Sequence, residues 1–158
     1  MSSAGLIIDA NLLLLLVIGV LEEGRHISNS GRLKEYSEDD YQVIVKYMGR
    51  FSNVYITPYI ATEVSNLIDL NGHARIMAFE AARLLFSQFQ QIDTNISADS
   101  ESNLFSTYGL TDSSLIGLVA DYTILTNDGR MSNALYAING DNVIHLELAR
   151  TLLQESRR

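Results

Sequence analysis

Cysteine is absent from this sequence of 158 residues, and proline occurs once, at Pro58. The missing thiols exclude disulfides, thiolate catalysis and cysteine-based zinc sites, and they fit a reducing compartment. A single proline also excludes a proline-rich linker. Because 158 residues suffice for one compact core and leave little for a second, we expect residues 1–158 to form a single domain.

Long apolar runs are also scarce. The one candidate extends from Leu12 to Leu21, which is shorter than the roughly 20 apolar residues that a bilayer-spanning helix needs. A signal peptide would require a basic residue before the apolar run, and none precedes it. We therefore expect a buried strand that leads into a buried helix, in a cytoplasmic protein.

Positive charge is in short supply. The chain has 11 Lys and Arg residues against 19 Asp and Glu residues, a net charge of −8. This balance argues against a protein that grips nucleic acid through a broad basic surface. If acidic side chains held two divalent ions, the net charge would fall to about −4, and local basic residues or a partner would have to supply the rest.

What the sequence does contain is an alternation of strand-like and helical segments. Short apolar strands are predicted at residues 5–9, 53–57, 122–126 and 143–146. Helices are predicted between and after them, because apolar residues recur there at helical spacing. Strands separated by helices predict an α/β fold, a three-layer α/β/α sandwich with a mostly parallel central sheet.

Several residues mark the ends of the predicted helices. Ser37 and Asp40 form a capping-box pattern, and Pro58 suits the first position of a helix. A long helix is predicted over residues 72–91. Gly109 is expected to end a short helix, after which Thr111 would start another.

Four acidic residues stand at predicted strand ends or early in predicted helices: Asp9, Glu63, Asp112 and Asp128. Asp9 lies between two apolar runs, where an unpaired carboxylate is costly. In parallel sheets, ligands bind beyond the carboxyl ends of the strands. We therefore expect these four carboxylates to meet at one edge of the sheet.

Each of the four also has an ordinary structural explanation. Asp9 would cap a helix that starts near Asn11, and Glu63 and Asp112 sit in early helical turns, which favour acidic residues. Asp128, in an Asn-Asp-Gly sequence, suits a turn. Taken one at a time, none of them indicates a site.

Their order and settings, however, resemble the PIN-domain family. The family opens with an apolar strand that ends in Asp-x-Asn, which stands here as Leu6-Ile7-Ile8-Asp9-Ala10-Asn11. Its second acidic residue lies on a helix after a Thr-Pro start, which matches Thr57-Pro58 and Glu63.

The two remaining motifs follow in the family's order. A Gly-Leu-x-Asp sequence that opens a helix matches Gly109-Leu110-Thr111-Asp112, and a strand that closes as Leu-Thr-x-Asp matches Leu125-Thr126-Asn127-Asp128. Each motif is weak, but four in the right order over residues 5–150 form a fairly specific signal. The resemblance is to PIN-domain ribonuclease toxins of the VapC type.

The resemblance implies a metal-dependent endoribonuclease that hydrolyses phosphodiester bonds in single-stranded or structured RNA. Its catalytic and metal-binding residues would be Asp9, Glu63, Asp112 and Asp128. Oxygen ligands suit Mg²⁺ or Mn²⁺, and two ions during catalysis would activate water and hold the leaving oxygen. Asp9 and Asp128 are the first choice for direct ligands.

Further residues and partners belong to the same expectation. Asn11 and Thr126 would support the site, and Arg130 is the best single candidate for a phosphate contact. The resemblance also implies a homodimer and an antitoxin protein, as in a toxin–antitoxin pair.

Two features depart from the family's pattern. Ser113 stands where many members carry alanine, and residues 19–36 form a lengthened segment without an assigned role. The alternative interpretation is a catalytically silent PIN-like domain that binds RNA or a protein partner. The intact acidic quartet argues against it, whereas the net charge of −8 mildly favours a partner-binding role.

Overall fold

Five parallel strands form the central sheet of the computed structural model, which describes residues 3–155. Their order across the sheet is β3-β2-β1-β4-β5, and every pairing is parallel. The α/β class predicted from the alternating pattern is confirmed. The strands are β1 (Leu6–Ile8), β2 (Val54–Ile56), β3 (Gln90–Gln91), β4 (Thr123–Thr126) and β5 (Val143–His145).

Eight α-helices accompany the sheet in the described residues, in agreement with the predicted three-layer arrangement. Short 3₁₀ turns occupy Leu21–Gly24, Gly31–Leu33 and Gly140–Asn142. The α-helices are α1 (Ala10–Gly19), α2 (Glu38–Met48), α3 (Pro58–Leu67), α4 (Gly72–Gln88), α5 (Ile96–Ser100), α6 (Phe105–Leu118), α7 (Gly129–Asn139) and α8 (Leu146–Glu155).

The core is built around β1 and α1. All three residues of β1 are buried, and so is every residue of α1 except Asn11. Helix α1 packs against α2, α3 and α4, which explains why it has no polar stripe. Across residues 3–155, no helix has both the length and the apolar character needed to cross a membrane.

Two of the predicted helix starts, at Ser37 and at Pro58, are confirmed by their hydrogen bonds. Ser37 Oγ accepts from the Asp40 backbone amide at 3.4 Å, and the Asp40 carboxylate accepts from the Ser37 amide at 3.1 Å. Helix α3 begins at Pro58, and Thr57 Oγ1 accepts from the Ile60 amide at 3.2 Å. These caps satisfy backbone amides that have no partner within the helix.

One predicted boundary is wrong. The helix expected over residues 72–91 ends at Gln88, Phe89 has extended backbone (φ −78°, ψ 149°), and residues 90–91 form the edge strand β3. The pairing of this strand with β2 is continued by the Ile92 amide, which donates to the Ile56 carbonyl at 2.9 Å. These partners lie far away in sequence, so the local helical pattern did not reveal them.

The strand order creates a crevice in the middle of the sheet. From β1 the chain builds β2 and β3 on one side, and then returns to build β4 and β5 on the other side. The loops after β1 and β4 therefore diverge. This is the topological switch point at which parallel α/β sheets bind their ligands.

Candidate functional site

Asp9 follows β1 at this switch point, and its carboxylate is almost fully buried, with 7% exposure. One oxygen accepts from the Ala10 amide at 2.7 Å and so caps α1. The other oxygen accepts from the Thr126 hydroxyl at 2.8 Å. Asn11 was predicted to support the site. Its side chain is exposed, and among the described residues it makes no hydrogen bond to Asp9.

Asp128 follows β4 and caps α7. Its carboxylate accepts from the amides of Arg130 at 2.9 Å and Met131 at 3.2 Å. The Asp128 amide in turn donates to Thr126 Oγ1 at 3.0 Å. The hydroxyl of the fully buried Thr126 therefore connects the Asp9 carboxylate to the Asp128 backbone amide, and the supporting role of Thr126 stays a prediction.

Glu63 and Asp112 approach the same edge from α3 and α6. Both line a groove of about 470 Å³. Glu63 is exposed and Asp112 is partly buried. Helix α6 is interrupted at Gly109 (φ 79°, ψ −179°), three residues before Asp112, where the sequence predicted the junction of two helices.

The carboxylates of the site act on one another electrostatically. Burial raises the pKa of Asp9 from 3.8 to about 6, and the charges of Asp128 and Glu63 add to the rise. Burial also raises the pKa of Asp112 to about 7, with contributions from Asp9, Asp128 and Glu63. Desolvation and like charge both disfavour the ionised form of a carboxyl group. All four predicted residues are therefore close enough for their charges to interact.

These four residues, which we call the acidic cluster (Asp9, Glu63, Asp112 and Asp128), have little compensating positive charge. Arg130 lowers the pKa of Asp112, but no cationic side chain of the described residues forms an ion pair with Asp9. Burying a carboxylate without such a partner is costly. A divalent cation would supply the missing positive charge.

The donor set also fits such a cation. Carboxylate oxygens are the ligands that Mg²⁺ and Mn²⁺ prefer. Within residues 3–155, however, no three His, Asp or Glu side chains already stand together at the spacing of a metal site. The acidic cluster is thus a set of carboxylates that interact by charge, and joint ligation would need side-chain rotation, most readily at the exposed Glu63.

Arg130, the predicted phosphate contact, packs against the first turn of α6. Its guanidinium group donates to the Thr107 carbonyl and lies over the Tyr108 ring, 5.5 Å from the ring centroid. The Tyr108 hydroxyl donates to the Arg130 carbonyl at 3.4 Å. These contacts hold Tyr108 in place, a role that the sequence did not predict.

Tyr36 is a second residue that the sequence analysis missed. It is buried, and its hydroxyl accepts from Asn127 Nδ2 at 3.1 Å. Burial raises the pKa of Tyr36 to about 12, and the negative charges of Glu35 and Asp9 add to the rise. The lengthened segment of residues 19–36 therefore ends at a contact with Asn127, the residue before Asp128. The two partners are 91 positions apart in sequence, and no local motif reveals their contact.

No family model matches the chain, and no curated protein matches it either. The resemblance to the PIN-domain family thus stays a prediction that depends on four motifs of the chain itself.

Proposed function

We propose that this protein is a metal-dependent endoribonuclease and that the acidic cluster is its active site. The observation that carries the proposal is the gathering of four carboxylates at the switch point, with the pKa of Asp9 raised to about 6 and that of Asp112 to about 7. Strongly perturbed pKa values with a specific cause are typical of functional sites. A carboxylate that served only to cap α1 would not need three acidic neighbours.

We assign different roles to the residues of the acidic cluster. Asp9 and Asp128 are held in fixed relation by the Thr126 hydroxyl, which suits them to be the direct ligands of Mg²⁺ or Mn²⁺. Glu63 and Asp112, on the groove wall, would complete the ligand set and orient the attacking water. The bound ions would lower the pKa of that water and stabilise charge on the phosphate.

The substrate and partners follow from the same proposal. The scissile bond is an RNA phosphodiester, which the net charge of −8 would repel without bound cations. The homodimer and the antitoxin are implied by the family resemblance alone, and they stay predictions.

The test is cleavage of labelled single-stranded RNA in the presence of Mn²⁺, of Mg²⁺ and of EDTA. We expect cleavage only with metal, and a loss of at least about 100-fold in Asp9→Asn, the size typical of removing a group that acts on transition-state charge. Asp141→Asn, which makes the same charge change at an exposed position of a 3₁₀ turn, is the matched control. Equal cleavage by both purified, folded variants would contradict the proposal, as would no cleavage by the wild type with either metal.

A further inference from the structure

The groove beside the acidic cluster has an aromatic as well as an acidic lining. Tyr59 and Tyr108 line it together with Glu63 and Asp112, and the exposed Thr62 and Asn66 add polar groups. The volume of about 470 Å³ is in the range of small-molecule sites. Neither tyrosine has a role in the hydrolysis proposed above.

Both tyrosines are held in place by contacts of their own. The Tyr59 hydroxyl donates to the Asp99 carboxylate at 2.7 Å, which ties its ring to α5. Tyr108 is held by its hydrogen bond to the Arg130 carbonyl and by the guanidinium group over its ring. Both side chains are only partly buried. Rings fixed in this way lose little further freedom when a ligand binds, which favours binding.

The chemistry of the lining selects a neutral, planar ligand. The carboxylate of Glu63 repels a phosphate group, and no basic residue lines the groove. A nucleobase is planar and uncharged, and each of the four bases can stack on an aromatic ring. The exposed amide of Asn66 offers hydrogen bonds to the edge of a base. The Thr62 hydroxyl donates to the Pro58 carbonyl at 2.8 Å and can accept a hydrogen bond from the base.

We propose that this groove binds an unpaired nucleobase on Tyr108 and Tyr59, next to the bond that the acidic cluster cleaves. The identification of the ligand as part of a nucleic acid rests on the proposed function. A base that is stacked and paired within a duplex cannot reach the rings, so the groove selects single-stranded segments.

The experiment measures binding of a fluorescent single-stranded RNA by anisotropy, in the Asp9→Asn background so that cleavage does not interfere. Tyr108→Leu removes the ring and should weaken binding at least about fivefold, whereas Tyr108→Phe keeps the ring and should stay within about twofold. Tyr136→Leu is the matched control, because Tyr136 is exposed on α7 and does not line the groove. Tyr59→Leu tests the second ring, should Tyr108→Leu fail to fold.

Two further probes separate stacking from general effects on affinity. An RNA that carries 2-aminopurine should lose fluorescence on binding to Asp9→Asn, and the loss should be smaller with Tyr108→Leu. An RNA of the same length with abasic positions should bind both proteins equally. The proposal would be overturned if Asp9→Asn and both leucine variants bound the base-bearing RNA with equal affinity. It would also be overturned if the leucine substitutions weakened binding of the abasic RNA as much as binding of the base-bearing RNA.

The outcomes also distinguish this proposal from the nuclease proposal. If wild type quenches the base in a Tyr108-dependent way but never cleaves with metal, the base site stands and the nuclease is wrong. If wild type cleaves with metal and binding does not depend on either tyrosine, the nuclease stands and the base site is wrong.

Discussion

Asp9 combines a structural role with an electrostatic cost. Its carboxylate caps α1 and accepts the Thr126 hydroxyl, yet its pKa in the folded protein is about 6, above the ordinary value of 3.8. The folded state therefore binds this proton more tightly than the unfolded state. Through this group, the free energy of unfolding is highest below about pH 4 and falls as the pH rises to about 6.

Asp9→Asn should remove that penalty. In EDTA at pH 8, we expect the variant to have a higher free energy of unfolding than the wild type, by on the order of 1–3 kcal/mol, because one pKa unit corresponds to about 1.4 kcal/mol. Near pH 4 the difference should shrink towards zero, since the wild-type carboxyl is then protonated. Urea unfolding at both pH values measures this. An advantage that is the same at both would mean that titration of Asp9 is not its cause.

Thr126 is the residue whose hydroxyl joins the carboxylate of Asp9 to the backbone amide of Asp128. Thr126→Val keeps the size but removes the donor to Asp9 and the acceptor for the Asp128 amide, and should lower the free energy of unfolding by about 1–3 kcal/mol. Thr126→Ser keeps the hydroxyl and should cost less, about 1 kcal/mol for the lost methyl group. Urea unfolding of both variants at pH 5 is the measurement. If Val cost no more than Ser, the hydrogen bonds through Thr126 would not matter for stability.

At the scale of elements, the break in α6 positions the groove. Gly109 lies at φ 79° and ψ −179°, a conformation that is essentially restricted to glycine. Apart from the neighbouring residues and the local helix backbone, no heavy atom lies within 4 Å of the place where a Cβ would be added. The requirement for glycine therefore comes from the backbone conformation. The break separates Tyr108 from Asp112, and both line the groove.

Gly109→Ala should therefore be costly, although there is space for the methyl group. We expect a loss of about 1–3 kcal/mol in the free energy of unfolding, from the disfavoured backbone conformation, together with weaker RNA binding. The matched control is Gly117→Ala in the same helix, where φ is not positive and space is equally open. There alanine should stabilise by up to about 1 kcal/mol, because it is the better helix former. Urea unfolding that gives the same change for both would contradict this account of α6.

At the scale of the whole molecule, the net charge of −8 and the acidic cluster oppose folding together. A divalent cation that binds only the folded cluster stabilises the fold by mass action, by about 2.7 kcal/mol at 100 times its Kd. Since about 1 kcal/mol corresponds to roughly 2–4 °C in a domain of this size, Mn²⁺ should raise the melting temperature by several degrees. Asp9→Asn should melt above the wild type in EDTA and gain less from Mn²⁺. Thermal melts that shift equally for both proteins would show that Asp9 is not a ligand.

Much of the fold could be predicted because it depends on neighbours in sequence. The Ser37–Asp40 capping box, the start of α3 at Pro58 and the all-round burial of α1 depend on local hydrogen bonds and on the spacing of apolar residues. The parallel sheet followed from the alternation of strands and helices. The same local signals placed Asp9 and Asp128 just past the carboxyl ends of two strands. Their meeting at one edge required that these strands be parallel and adjacent, as β1 and β4 are.

The tertiary structure alone decided what depends on distant groups. Strand β3 exists because β2 offers it backbone partners, and Tyr36 reaches Asn127 from 91 positions away. The guanidinium of Arg130 donates to the Thr107 carbonyl and lies over the Tyr108 ring, contacts that no local motif indicated. Sequence determined which side chains were available near the site, whereas folding set their burial and mutual distances. Those two quantities fix the desolvation and the charge interactions that raise the pKa of Asp9, and no pattern in the chain contains them.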